Sequence, residues 1–175
     1  VAVRLFMPYN RISRITIIRQ GMAFGHVSHF PAREAYQGLR TNEQYMDRLR
    51  VSVAGKAAEI EFCGLQNQTL GVGGDFFNIR MLLRQMALAG MLGPLGGASA
   101  FRFSMMGMSQ EIPPEMAQAM EETFQQVLNE TRTALRQHSE VVHALVKRLM
   151  EQEELLADDV KAFFDQYGLH TPEPT

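Results

Sequence analysis

The stretch that decides the fold is RITIIRQGMAFGHVSHFP, residues 14–31. Ile15, Thr16, Ile17 and Ile18 form a short β-branched run, which suits a pleated strand better than a helix. Gly21 supplies a turn, and Met22 to Phe30 reads as a second strand. Pro31 ends it, because proline has no N–H for a ladder. Two short strands joined near a glycine predict a hairpin. Almost everything after it has helical spacing, so the expected class is α+β, mostly α. A small hairpin or sheet packs on helices, and a helical bundle forms the C-terminal part.

Working outward, Thr41 followed by Gln44 has the form of a capping box. Tyr45, Leu49 and Val53 then give one apolar helical face, which Gly55 interrupts and Ala57, Ala58 and Ile60 continue. Residues 64–74, GLQNQTLGVGG, place three glycines in their last four positions and predict a loop. Asp75 opens the next helix, which runs to about Leu88 on a stripe of Phe76, Ile79, Leu83 and Met86. An acidic residue there is favoured by capping and by the helix dipole. Residues 90–112 are rich in glycine and methionine and read as an irregular loop. Pro113 and Pro114 then begin a helical third. Its stripe is Met116, Met120, Phe124, Val127, Leu128, Thr131 and Leu135. Ser139 is placed to cap a further helix with Val142, Leu145, Val146 and Leu149 inside. Asp158 is placed to cap another with Val160, Phe163, Phe164 and Tyr167 inside, ended by Gly168. The organisation expected is a core over residues 1–112, a helical part of the same domain over 113–169, and a flexible tail over 170–175.

The 175 residues are 46% hydrophobic and 21% charged, which allows one ordinary core. A net charge of −2 gives no bulk attraction for nucleic acid. The single cysteine, Cys63, excludes an internal disulfide and fits a reducing compartment. No apolar run approaches the roughly 20 residues that span a bilayer. Membrane attachment would have to come from outside this sequence. The opening VAVRLFMPYN reads as the end of an element already under way, so a fragment is expected.

Taken residue by residue, the chain shows no complete catalytic set. A helical zinc pair needs histidines four apart on one face. His138 and His143 are five apart, His26 and His29 are three apart in a strand, and His170 stands alone. None of the five is followed by glutamate, so there is no HExxH. GVGGD lacks the Lys-Ser/Thr of a phosphate loop, and no G-x-S-x-G elbow is present.

Several segments, in order, resemble the FtsH-type zinc metalloproteases. RITIIRQGMAFGHVSHFP looks like the strand pair that follows that family's zinc-binding helix. VAGKAAEIEFCG, residues 53–64, is similar to its glycine-glycine-arginine-alanine-glutamate helix. TLGVGGDFFNIRMLLRQM, residues 69–86, resembles its threonine-glycine-alanine and asparagine-aspartate stretch. MLGPLG at 91–96 matches its glycine-proline loop, and LLADDVKAFF at 155–164 its final helix. The resemblance implies a mostly helical zinc peptidase domain behind a membrane-anchored AAA ATPase that uses ATP and assembles as a homo-hexamer. Unfolded or membrane-extracted polypeptides are its implied substrates, and protein quality control its setting. The domain would face the cytoplasm or an equivalent reducing compartment.

It further implies Asp75 as the one metal ligand in this sequence and Glu59 as a group supporting the ligands. Met22, Ala23, Phe24, Gly25, His26 and Val27 become a strand that binds extended substrate by strand addition. The zinc-binding histidines and the general base would lie in an HExxH segment just before Val1. As printed, the sequence is therefore expected to be inactive, and zinc to bind only with that segment. Arg19 and Gln20 stand where the family has proline and arginine, Gly74 where it has asparagine, and Ala54 and Lys56 where it has glycine and arginine. The loop at 87–93 is shortened. The alternative expectation is a non-catalytic relative kept for ring assembly or chaperone work; a free-standing helical interaction module is a third.

Overall fold

The computed structural model describes residues 1–19, 25–31, 40–69, 73–92 and 112–172. They form two compact units. One unites Val1–Arg40 with Thr133–Thr175; the other is Thr41–Arg132.

The first unit begins with a short helix, α1 (Ala2–Phe6), followed by β1 (Asn10–Thr16) and β2 (His26–Pro31). β1 and β2 pair antiparallel, with Asn10 opposite Pro31 and Thr16 opposite His26. The hairpin is as expected, but its first strand starts earlier and ends before Ile17 and Ile18, which are exposed. Gly21 and the proposed Met22–Phe24 part of the second strand lie outside the described residues. The register shifts between Ile12 and Arg14, a bulge at Ser13, whose hydroxyl donates to the Ser28 carbonyl at 3.2 Å.

A third strand, β3 (Glu154–Leu156), pairs with the other edge of β1, giving the order β2-β1-β3. The family resemblance places Leu155 and Leu156 in a final helix, whereas here they belong to a strand. Pairing with a strand 140 residues earlier decides this, and the Arg14 Nε bond to Glu154 Oε1 at 2.6 Å fastens it.

The last helix of this unit, α7 (Ala157–Gln166), lies against β1 and buries Val160, Phe163 and Phe164. The Phe163 and Phe164 rings meet edge to face at 5.3 Å. Gly168 has φ +71°, and Leu169 N donates to the Phe164 carbonyl at 3.0 Å, which closes the helix at the expected glycine. Asp158 does not cap it. The N-cap is Leu156, without a side-chain bond, and Asp158 sits in the first turn, where the dipole favours it.

The second unit starts with α2 (Asn42–Ser52). Thr41 caps it through the full reciprocal box: Thr41 Oγ1 accepts from Gln44 N at 3.3 Å, and Thr41 N donates to Gln44 Oε1 at 2.9 Å. The helix buries Met46, Leu49 and Val53 and continues as α3 (Ala54–Ala58) and a wider turn at Glu59–Cys63. Gly64, at φ +83°, ends this run, a conformation that glycine adopts without Cβ strain. α4 (Gly73–Leu88) buries Ile79, Leu82, Leu83 and Met86, while Phe76 of the expected stripe is 37% exposed.

α5 (Pro114–Gln137) carries the expected stripe, with Met116, Met120, Val127, Leu128, Thr131 and Leu135 buried. α6 (Ser139–Gln152) follows after His138, which is the N-cap in place of Ser139 and makes no side-chain cap bond. His138 Nδ1 instead lies 2.9 Å from the Ala134 carbonyl, back in α5. Val141 and Leu149 are the buried members of α6, and Val146 is 53% exposed.

Candidate functional site

Asp75 is the third residue of α4, in its first turn rather than at its cap. The residue is exposed, yet crowding around its carboxyl removes enough water to push its pKa above the ordinary aspartate value. Among the described residues no cation offsets that cost, and the Asp75 side chain has no hydrogen bond or ion pair. Its charge is therefore available to a group that would arrive from outside.

Glu59 behaves differently. Its Oε1 accepts from Thr69 Oγ1 at 2.6 Å, its Oε2 from Thr69 N at 3.4 Å, and Lys56 Nζ stands 3.9 Å away. The carboxylate thus ties down Thr69, six residues ahead of Asp75 in the sequence. Sequence reading singled out Glu59 but gave no sign of Thr69, because the contact crosses the Gly64 turn. Asn67 supports the same turn, with Nδ2 donating to the Cys63 carbonyl at 2.7 Å.

Asp75 and Glu59 belong to the second unit, and β2 to the first. β2 is a terminal strand of its sheet, paired on one side with β1. His26 and Val27 lie in it, and Gly25 immediately precedes it. A Cβ at Gly25 would sit 3.1 Å from the Thr16 carbonyl oxygen, so a close backbone approach is built on glycine here. Val27 and Phe30 are 43% and 51% exposed, and no strand among the described residues pairs with the other edge of β2. His29 faces inward: its Nδ1 lies 2.9 Å from Asn10 Nδ2, and Arg4 Nη1 donates to the Asn10 carbonyl at 2.9 Å. Burial, with a smaller push from His26, lowers the His29 pKa, so the neutral ring accepts the Asn10 bond.

A catalytic zinc takes three protein ligands and leaves a position open. Among the described residues, no three His, Cys, Asp or Glu side chains gather to hold a metal. Asp75 supplies one oxygen donor of the right kind, but alone it does not make a zinc site.

The model of peptidase family M41 matches residues 2–163. The chain is 27% identical over 157 residues to the "ATP-dependent zinc metalloprotease FTSH 9, chloroplastic/mitochondrial" of Oryza sativa subsp. japonica, covering 89% of this chain and 19% of that protein. It is 24% identical over 160 residues to the ATP-dependent zinc metalloprotease YME1L of Drosophila melanogaster, covering 89% and 21%. With the ATP-dependent zinc metalloprotease FtsH of Slackia heliotrinireducens it shares 26% over 166 residues, covering 88% and 21%. The chain thus spans about a fifth of the length of these curated relatives. The family match covers both units, the Glu59–Thr69 contact and the helix that carries Asp75, and it places this chain in peptidase family M41 as an FtsH-type peptidase domain.

Proposed function

We propose that this chain is the greater part of the peptidase domain of an ATP-dependent zinc endopeptidase acting on unfolded or membrane-extracted polypeptides. The observation that carries the reading is Asp75: an acidic side chain at a helix start, partly desolvated and without a cationic partner among the described residues. A carboxylate in that state is stabilised by a metal far more than one already paired. In this reading Asp75 is one zinc ligand, and two histidines and a general base come from an HExxH segment outside the 175 residues. Glu59 holds Thr69. The free edge of β2, with His26 and Val27, takes extended substrate through backbone hydrogen bonds. An AAA ATPase would deliver that substrate, and a homo-hexamer would surround it. The organisation proposed is a core over 1–112, a helical part over 113–169 and a tail over 170–175.

No helix among the described residues is long and apolar enough to cross a membrane, so the reading places any anchor in other segments. The domain itself would face a reducing compartment. One observation favours a second reading, a non-catalytic relative serving ring assembly or chaperone work: Ala54, Lys56 and Gly74 stand where the resembled family has glycine, arginine and asparagine.

The test uses the full-length gene product. The expected outcome is an encoded HExxH and zinc-dependent cleavage of an unfolded casein. Asp75→Ala should abolish that cleavage and bring the bound zinc, measured by atomic emission, close to background. Absence of the motif would sink the catalytic reading, and unchanged cleavage by the variant would remove Asp75 from the site.

A further inference from the structure

α4 carries side chains that neither the core nor the zinc reading uses. Phe77 is 68% exposed and Met81 43% exposed, and their four-residue spacing puts them on one face. Phe76 leans from the same helix onto Phe124 of α5, with ring centroids 5.8 Å apart. Together with Ile112 and Met120 these residues line an open groove of about 740 Å³ within the second unit. That is a volume in which ligand side chains are commonly held.

The groove is also polarised. Arg80 and Arg84 stand on its α4 side, and neither has an ion pair or hydrogen bond among the described residues. Glu121 stands on its α5 side, where Gln125 Nε2 donates to it at 2.8 Å. A ligand that lays an apolar group on the aromatic floor would be drawn to place negative charge toward Arg80 and Arg84, away from Glu121.

We propose that this groove docks a polypeptide segment with a large apolar side chain next to acidic ones, the carboxylates meeting Arg80 and Arg84. From the peptidase reading the proposal borrows only that the ligand is polypeptide. Docking here needs neither zinc nor cleavage, and the residues involved are distinct from Asp75, Glu59 and β2.

The experiment is fluorescence anisotropy on the full chain. The probe is a fluorescein-labelled peptide of about ten residues, with a central Leu-Phe pair followed by two glutamates. Its control has lysines for the glutamates. The acidic peptide should bind about tenfold more tightly, with the margin shrinking as salt rises. Arg80→Glu combined with Arg84→Glu should reverse the preference. Phe77→Ala should weaken both peptides about fivefold. All three positions lie outside the buried core, and an unchanged thermal melt would show that the variants fold.

Equal binding of the two peptides, no binding of either, or a preference untouched by charge reversal would overturn the proposal. So would self-association that Phe77→Asp abolishes, because the occupant would then be a second copy. Binding that emerges only when residues 93–111 are replaced by a Gly-Ser linker would overturn it too, since the chain's own segment would be the occupant. Absence of casein cleavage by the full-length gene product, with intact peptide binding, would count against the peptidase reading alone. Absence of peptide binding by the unsubstituted product, with intact cleavage, would count against the groove alone.

Discussion

Two acidic regions of the second unit contrast sharply. At Arg50 one guanidinium serves three carboxylates: Nη1 lies 2.6 Å from Glu43 and 2.7 Å from Asp47, and Nε lies 2.8 Å from Glu130. These bonds outweigh the guanidinium's own desolvation and hold its pKa above the ordinary arginine value. At the start of α4 one carboxylate, Asp75, has no such partner among the described residues. The first arrangement ties α2 to α5, and nothing about it requires a visitor. The second leaves charge unspent where a catalytic ligand is proposed. Acidic residues alone, then, say little about function; the state of their partners separates scaffold from site.

The strongest way to break the scaffold half is through the core beneath it. Leu49, next to Arg50 in α2, is fully buried. Leu49→Ala should cost about 2–5 kcal/mol in urea unfolding. A loss under about 1 kcal/mol would show that α2 is not firmly packed. Arg50→Ala should cost less, about 2 kcal/mol, because its partners keep partial access to water. Reducing the pairs to surface decoration would take a measured loss within about 0.3 kcal/mol of zero.

The finest distinction is the sign of pH dependence. The folded pKa of Asp75 is raised by desolvation above 3.8. Stability linked to it is fully present below 3.8 and is lost as pH rises through the folded value. Burial also pushes Glu130 upward, but bonds from Gln126 and Arg50 prevail and bring it below 4.5. Its contribution is present above 4.5 and is lost as pH falls through the folded value. Asp75→Asn should therefore leave neutral-pH stability within about 0.5 kcal/mol of the parent, since the group is exposed. Glu130→Gln should flatten the acid limb of the stability curve. Carboxyl NMR titrations placing Asp75 below Glu130 would reverse the comparison.

The scaffold was more legible than the site. Thr41 and Gln44 announced a capping box, and Gly168 a helix end, because those devices are local and few residue types perform them. Helix stripes such as Met116 to Leu135 were readable for the same reason: 3.6-residue periodicity is written along the chain. β3 was not readable, since Glu154–Leu156 becomes a strand only by meeting Arg14–Thr16. Ser139 and Asp158 are good capping residue types, yet each helix starts close enough to put them inside it. At the candidate site, spacing and composition favoured Asp75 as a helix-start residue, and only family resemblance raised it to a metal ligand. The Glu59–Thr69 clamp depends on how the chain turns at Gly64, which periodicity does not encode.

The sheet also imposes an order on synthesis. β1 leaves the ribosome well ahead of Glu154–Leu156, so one of its edges waits for that segment, and Ile17 N for the Glu153 carbonyl at 2.9 Å. The unit formed by Thr41–Arg132 is continuous and has no such delay. During translation β1 therefore exposes a half-paired edge while the middle of the chain is already able to close. A nascent chain stalled before residue 154 would offer that edge to chaperones, or to a neighbouring copy on the same polysome.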